Sequence, residues 1–185
     1  IDVMILYKNS KSYDILKIIE KFVAFAWDCG LNLGLRVVNI DNIDEMYDLA
    51  KNDITIKTSL LESRYIFGSK KIYEDFELFV KNLRQIDKKA FVEKQLTTHT
   101  QRLQKYPLNM QVNLKDGYGG IREANMLFWI LNVVYDVQKA KELVGTKLNY
   151  DSYKKFTIAL DFLFQTRNAL HTIHKKKVDT ITFDT

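Results

Sequence analysis

The sequence predicts an α+β protein that is mostly helical: a short α/β unit followed by an antiparallel helical bundle. Three observations predict it. Two short apolar runs flank a helix-period segment at the start of the chain. From Asp41 onward the apolar spacing is almost entirely helical. Two successive apolar stripes in the last third of the chain are most simply the core of a bundle. The α/β character ends between about Gly68 and Glu74, which divides the chain into a first region, 1–70, and a second, 71–185.

Each element follows from local pattern. Ile1 to Tyr7 is apolar apart from Asp2, as expected of a central strand buried on both faces. Ser12 to Cys29 repeats apolar residues at helical spacing (Ile15, Ile18, Ile19, Phe22, Val23, Ala26), and Gly30 is a good terminator. Leu31 to Ile40 reads as a second strand, so the order is strand, helix, strand. Asp41 to Lys51 is a short acidic helix, and Asp53 suits the N-cap of a helix running to Gly68. Lys70 to about Tyr106 is one long amphipathic stretch, ended near Pro107, the only proline. Ile121 to Val144 carries the stripe Ala124, Leu127, Phe128, Leu131 and Val134. Tyr153 to about His174 carries Phe156, Ala159, Leu160, Leu163 and Leu170.

Composition narrows the function classes. The 185 residues are 46% hydrophobic and 28% charged, an ordinary globular balance. The formal charge of +5 suits a phosphorylated or polyanionic ligand without requiring one. No basic-aromatic cluster marks a nucleic-acid binder. Cys29 is the only cysteine, so an internal disulfide is impossible and a reducing cytoplasm is the expected setting. The most apolar stretch, Met126 to Tyr135, is too short to span a bilayer. The chain opens on Ile1 inside a strand-like run and reads as an internal fragment.

Residues 113–123, Asn-Leu-Lys-Asp-Gly-Tyr-Gly-Gly-Ile-Arg-Glu, carry the most chemistry. Gly117, Gly119 and Gly120 fall within four positions, in a chain with seven glycines. Lys115 and Arg122 bracket them, and a helix starts immediately afterwards. Glycine leaves backbone N–H groups unobstructed, so such a turn can wrap an anion at a helix N-terminus. Lysine adds a point charge and arginine a planar fork. The competing account is a tight turn that caps a helix, with Arg122 and Glu123 bracing it. The spacing matches neither the Rossmann nor the P-loop pattern.

Five segments in order resemble the protein-PII uridylyltransferase/uridylyl-removing enzymes, members of the polymerase-β-like nucleotidyltransferases. Ile1–Tyr7 resembles the strand with the second acid of the family's Asp-x-Asp, and Phe25–Gly34 its Trp-Asp-x-Gly-Leu segment. Asp53–Gly68 is similar to the Leu-Leu-Glu-Ser-Arg helix. Asn113–Glu123 is similar to Asn-x-Lys-x-Gly-x-Gly-Gly-Leu-Arg-Asp, and Asp161–His171 to Phe-Leu-x-x-x-Arg-Asn-x-Leu-His. The resemblance implies a partial nucleotidyltransferase unit with an adjoining helical nucleotide-binding domain. It also implies Mg²⁺-dependent transfer of a uridylyl group from UTP, or another nucleoside triphosphate, to a tyrosine of a PII-like signal protein in nitrogen regulation.

Carried over residue by residue, Asp2 becomes the catalytic and metal-binding carboxylate, and Asp53 a weaker second candidate that also reads as a helix cap. Lys115, Gly117, Gly119, Gly120 and Arg122 become the nucleotide-binding set. This reading requires Asp2 and the Lys115–Arg122 bend to line one cavity. Arg167 and His171, four apart, share a helical face and read as a bundle hydrogen-bond network. The family's Gly-Ser turn and first acid are expected before Ile1, and its phosphohydrolase and ACT domains after Thr185, so the core reads as incomplete. The family's His-x-Val-Arg is Leu35-Arg36-Val37-Val38 here, and Glu123 replaces an Asp. A degenerate, non-catalytic nucleotide-sensing or protein-docking module is the alternative.

Overall fold

A computed structural model describes residues 2–107 and 111–182. The fold is α+β and mostly helical, as the periodicity predicts. It comprises two compact units, one running to Leu83 and the other starting at Arg84.

In the first unit, β1 (Asp2–Tyr7) leads through α1 (Ile15–Asp28) to β2 (Gly34–Asn39). The strands pair in parallel, with Asp2 opposite Gly34 and Tyr7 opposite Asn39. Asp14 caps α1 by accepting from the Lys17 amide at 3.2 Å. A 3₁₀ turn, α2 (Ile43–Asn52), α3 (Ile54–Leu61) and α4 (Lys70–Gln85) follow. Buried side chains come from every layer: Ile19 and Ala26, Val38, Met46 and Ala50, Leu60, then Phe76, Phe79, Val80 and Leu83. Rings of Tyr65, Tyr73, Phe76 and Phe79 follow one another with centroids 5.2–6.3 Å apart. Lys8, beyond the end of β1, holds Asp75 of α4 at 2.9 Å.

Three expectations change here. β1 is half-buried rather than covered on both faces, because β2 is its sole sheet partner among the described residues. Two of the six residues of the predicted α1 stripe face outward: Ile18 and Phe22 are exposed, whereas Ile19 and Ala26 are buried. The helix after Asp53 also stops at Leu61, well short of Gly68.

The second unit contains α5 (Lys88–Lys105), α6 (Ile121–Tyr135) and α7 (Tyr150–His174). The long stretch predicted from Lys70 to Tyr106 is two helices, broken at Asp87, whose φ of 44° lies in the left-handed region. Asp136 ends α6 the same way at φ 54°, so the helix stops before the predicted Val144. Asn149 caps α7, accepting from the amides of Asp151 and Ser152. Leu131, Ala140 and Leu143 form a core patch against which Phe128, Val137, Leu148 and Tyr153 pack. Phe128 of α6 meets Phe156 of α7 edge-on at 5.4 Å. Leu127 and Val134, placed in the stripe by spacing, are exposed, whereas Ile121 and Val133 are buried.

Candidate functional site

The glycine turn is built from the inside. Asn113 Oδ1 accepts from the amides of Lys115 and Asp116, at 3.0 and 2.7 Å, and its backbone oxygen accepts from Gly117 at 3.1 Å. Gly120 donates to Gly117, Ile121 to Leu114 and Arg122 to Lys115, all within 3.1 Å. Glu123 reaches back so that Oε2 accepts from the Gly119 amide at 2.9 Å. Gly119 has φ +68°, and a Cβ at Gly120 would meet three backbone oxygens at 2.9–3.0 Å. The glycines are thus needed for a chain folded tightly onto itself. These amides already have acceptors within the turn, so an anion would have to be held mainly by side chains.

Those side chains also have partners. Arg122 Nε lies 3.6 Å from Asp116 Oδ1, within the same turn. Lys115 Nζ lies 4.0 Å from Asp179 Oδ2. Asp179 is the hub of a larger cluster. Its carboxylate accepts from Arg167 Nε at 2.5 Å and Nη2 at 3.5 Å, and lies 3.2 Å from His171 Nε2. Its backbone oxygen accepts from Leu114 at 2.7 Å, and next to it Thr180 Oγ1 accepts from Asn113 Nδ2 at 3.0 Å. The segment after α7 is therefore clasped to the segment entering the turn. Burial works against ionising Asp179, but the hydrogen bonds from Arg167 and His171 and the charges of Arg167 and Lys115 outweigh it. Its carboxyl is held below the ordinary range. Arg167 and His171 do form the network expected from their spacing. Its acceptor, Asp179, lies in a C-terminal segment with no periodicity, so no local pattern marked it.

A second cluster braces the other side. Arg102 and His99, one turn apart on α5, lie 2.9 Å from each other through Nη2 and Nδ1, and His99 Nε2 is 3.6 Å from Glu123 Oε1. Burial lowers the pKa of Arg102, against the pull of Asp116 and Glu123. Beside the turn, Gly119 and the α7 residues Lys155, Ile158, Ala159, Phe162 and Leu163 line an open apolar depression of about 520 Å³.

In the first unit the acids behave differently. Asp2 is exposed at the head of β1, and no ion pair engages its carboxylate among the described residues. Being exposed, it incurs no desolvation cost that a cation must offset. Asp53 Oδ1 accepts from the amides of Thr55 and Ile56, at 2.7 and 3.3 Å, and so caps α3. The described residues contain no group of three His, Cys, Asp or Glu side chains able to hold a metal ion. Asp2 and Asp53 belong to the first unit; Lys115, Gly117, Gly119, Gly120 and Arg122 belong to the second.

A parallel strand pair with a crossover helix, then helices organised about a glycine turn, defines the class: an α+β chain with a charged, hydrogen-bonded bend at a helix start. Residues 90–185 match the family model described as GlnD PII-uridylyltransferase. The chain belongs to this family. It is similar to the bifunctional uridylyltransferase/uridylyl-removing enzyme of Azospirillum brasilense, 33% identical over 100% of this chain and 20% of that protein. The same-named protein of Novosphingobium aromaticivorans is 32% identical over 91% of this chain and 19% of its own length. That of Burkholderia mallei is 29% identical over 100% of this chain and 21% of its length. The chain thus spans about a fifth of these curated relatives. No solved structure matches it. Among the described residues, no helix is long and apolar enough to cross a membrane.

Proposed function

We propose that this chain is the part of a cytoplasmic uridylyltransferase that joins a partial polymerase-β-like nucleotidyltransferase unit to an antiparallel helical nucleotide-binding domain. The reaction proposed is transfer of a uridylyl group from UTP to a tyrosine of a PII-like signal protein. Family membership carries this reading, supported by an available carboxylate on β1 and by Lys115 and Arg122 on a rigid turn. In it, Asp2 is the catalytic carboxylate, and Lys115 and Arg122 are the nucleotide-binding cations. To bind phosphate, these two cations exchange their present partners, Asp179 and Asp116, for phosphate oxygens. Mg²⁺, which such chemistry uses to neutralise phosphate charge, needs ligands besides Asp2, since the described residues do not make a metal site.

A specific observation favours a second reading, a non-catalytic nucleotide-sensing or docking module. The turn's amides are internally bonded, and both of its cations have carboxylate partners. Titration calorimetry with UTP and Mg²⁺, run beside an assay for labelled uridylyl transfer, separates the two in the full encoded protein. Binding together with transfer to a PII-like protein is the expected result. Binding without transfer would establish the module reading, and absence of both would end the nucleotide hypothesis.

A further inference from the structure

Gly34 opens β2 directly opposite Asp2 in the parallel pair. Its backbone does not require glycine: the positive-φ glycines are Gly30, Gly68, Gly119 and Gly145. What requires it is a side chain. A Cβ at Gly34 would overlap Asp2 Oδ1 and stand 3.4 Å from Asp2 Cγ and 3.8 Å from Asp2 Cα, and these are its three nearest neighbours. The space a methyl group would take is filled by the Asp2 carboxylate.

We infer that Gly34 is a positioning residue for Asp2: its bare Cα lets the carboxylate lie across the neighbouring strand in one orientation. The inference rests on Asp2 acting in the proposed transfer. The obstructing atom is the end of a rotatable side chain, so a methyl group at Gly34 displaces the carboxylate more readily than the strand. Displacing a reacting group by about an ångström costs on the order of 10²-fold in rate.

The test compares Gly34→Ala, Asp2→Ala and the double variant in the full encoded protein, by uridylyl transfer rate, UTP affinity and Tm. Gly34→Ala should lower kcat on the order of 10²-fold while UTP affinity and Tm stay near wild type. Any loss of Tm it does cause should vanish in the Asp2→Ala background, where there is no carboxylate to collide with; that non-additivity marks a pair in contact. An equal Tm loss in both backgrounds would mean that the glycine serves the sheet, and the inference would be wrong. Wild-type transfer by Gly34→Ala, with Asp2→Ala inactive, would also overturn it while leaving the transferase reading intact. Undiminished transfer by Asp2→Ala would instead remove the catalytic role of Asp2 on which the inference stands.

Discussion

The two units offer opposite electrostatic circumstances for candidate site groups. Residues 1–83 hold 11 Lys and Arg against 13 Asp and Glu; residues 84–185 hold 17 against 10. The overall +5 therefore hides a slightly acidic unit followed by one of net +7. Yet the acidic unit holds the more available group. Asp2 stands exposed at a strand head, whereas Lys115 and Arg122 sit in a basic unit with carboxylates at 4.0 and 3.6 Å. Net charge reports which ligands a region attracts; local pairing decides which side chains are ready to take them. The turn is rigid because its polar groups are mutually engaged, and the same engagement limits what it can offer a ligand.

The contrast can be broken most sharply at Asp2. Asp2→Asn should reduce uridylyl transfer on the order of 10²–10³-fold with Tm unchanged, because the charge is removed from an exposed site that supports no packing. Transfer at the wild-type rate would leave the first unit without a catalytic group.

Asp179→Asn should act oppositely, on stability first. It weakens the clasp between the turn and α7 by about 1–3 kcal/mol, read by urea denaturation. The sign with pH is fixed by the lowered pKa of Asp179. A carboxyl whose folded pKa lies below its unfolded value stabilises the fold above the unfolded value, near 3.8. That contribution is lost as pH falls through the folded pKa. The gap between wild type and Asp179→Asn should therefore be full at pH 7 and close in acid below about pH 4. A gap independent of pH would mean that Asp179 acts through its backbone bonds alone.

Arg122→Ala sharpens the comparison within the turn. If Arg122 leaves Asp116 for triphosphate, UTP affinity falls by about 1–3 kcal/mol, measured by calorimetry. Unchanged affinity with a lowered Tm would reduce it to a brace. The smallest effect belongs to Asp53→Ala, which should cost about 1 kcal/mol of stability through loss of the α3 cap and leave the transfer rate intact. A rate loss larger than the stability loss would restore Asp53 as a site carboxylate.

Much of this organisation was legible. The helix start at Asp53 follows from a side chain that accepts the first amides of α3, whereas the caps at Asp14 and Asn149 lie a few residues from the starts expected at Ser12 and Tyr153. That Arg167 and His171 lie on one face follows from four-residue spacing. Helix stops were harder. Asp87 and Asp136 adopt the left-handed conformation with no glycine or proline to announce it, so helical periodicity reads straight across both. Burial was harder still: Phe22 and Leu127 fit their stripes by spacing, yet they are 47% and 40% exposed.

The amino-acid order alone determined the strand–helix–strand opening, the helical remainder, the glycine bend and the family, because each depends on residues near one another in the chain. Only the tertiary structure decided that Asp179 gathers Arg167, His171 and Lys115, and that Gly34 makes room for the Asp2 carboxylate. Those relations join residues 8 to 64 positions apart or set two strands in register. Local propensity carries no information about them; packing and charge pairing in the folded chain do.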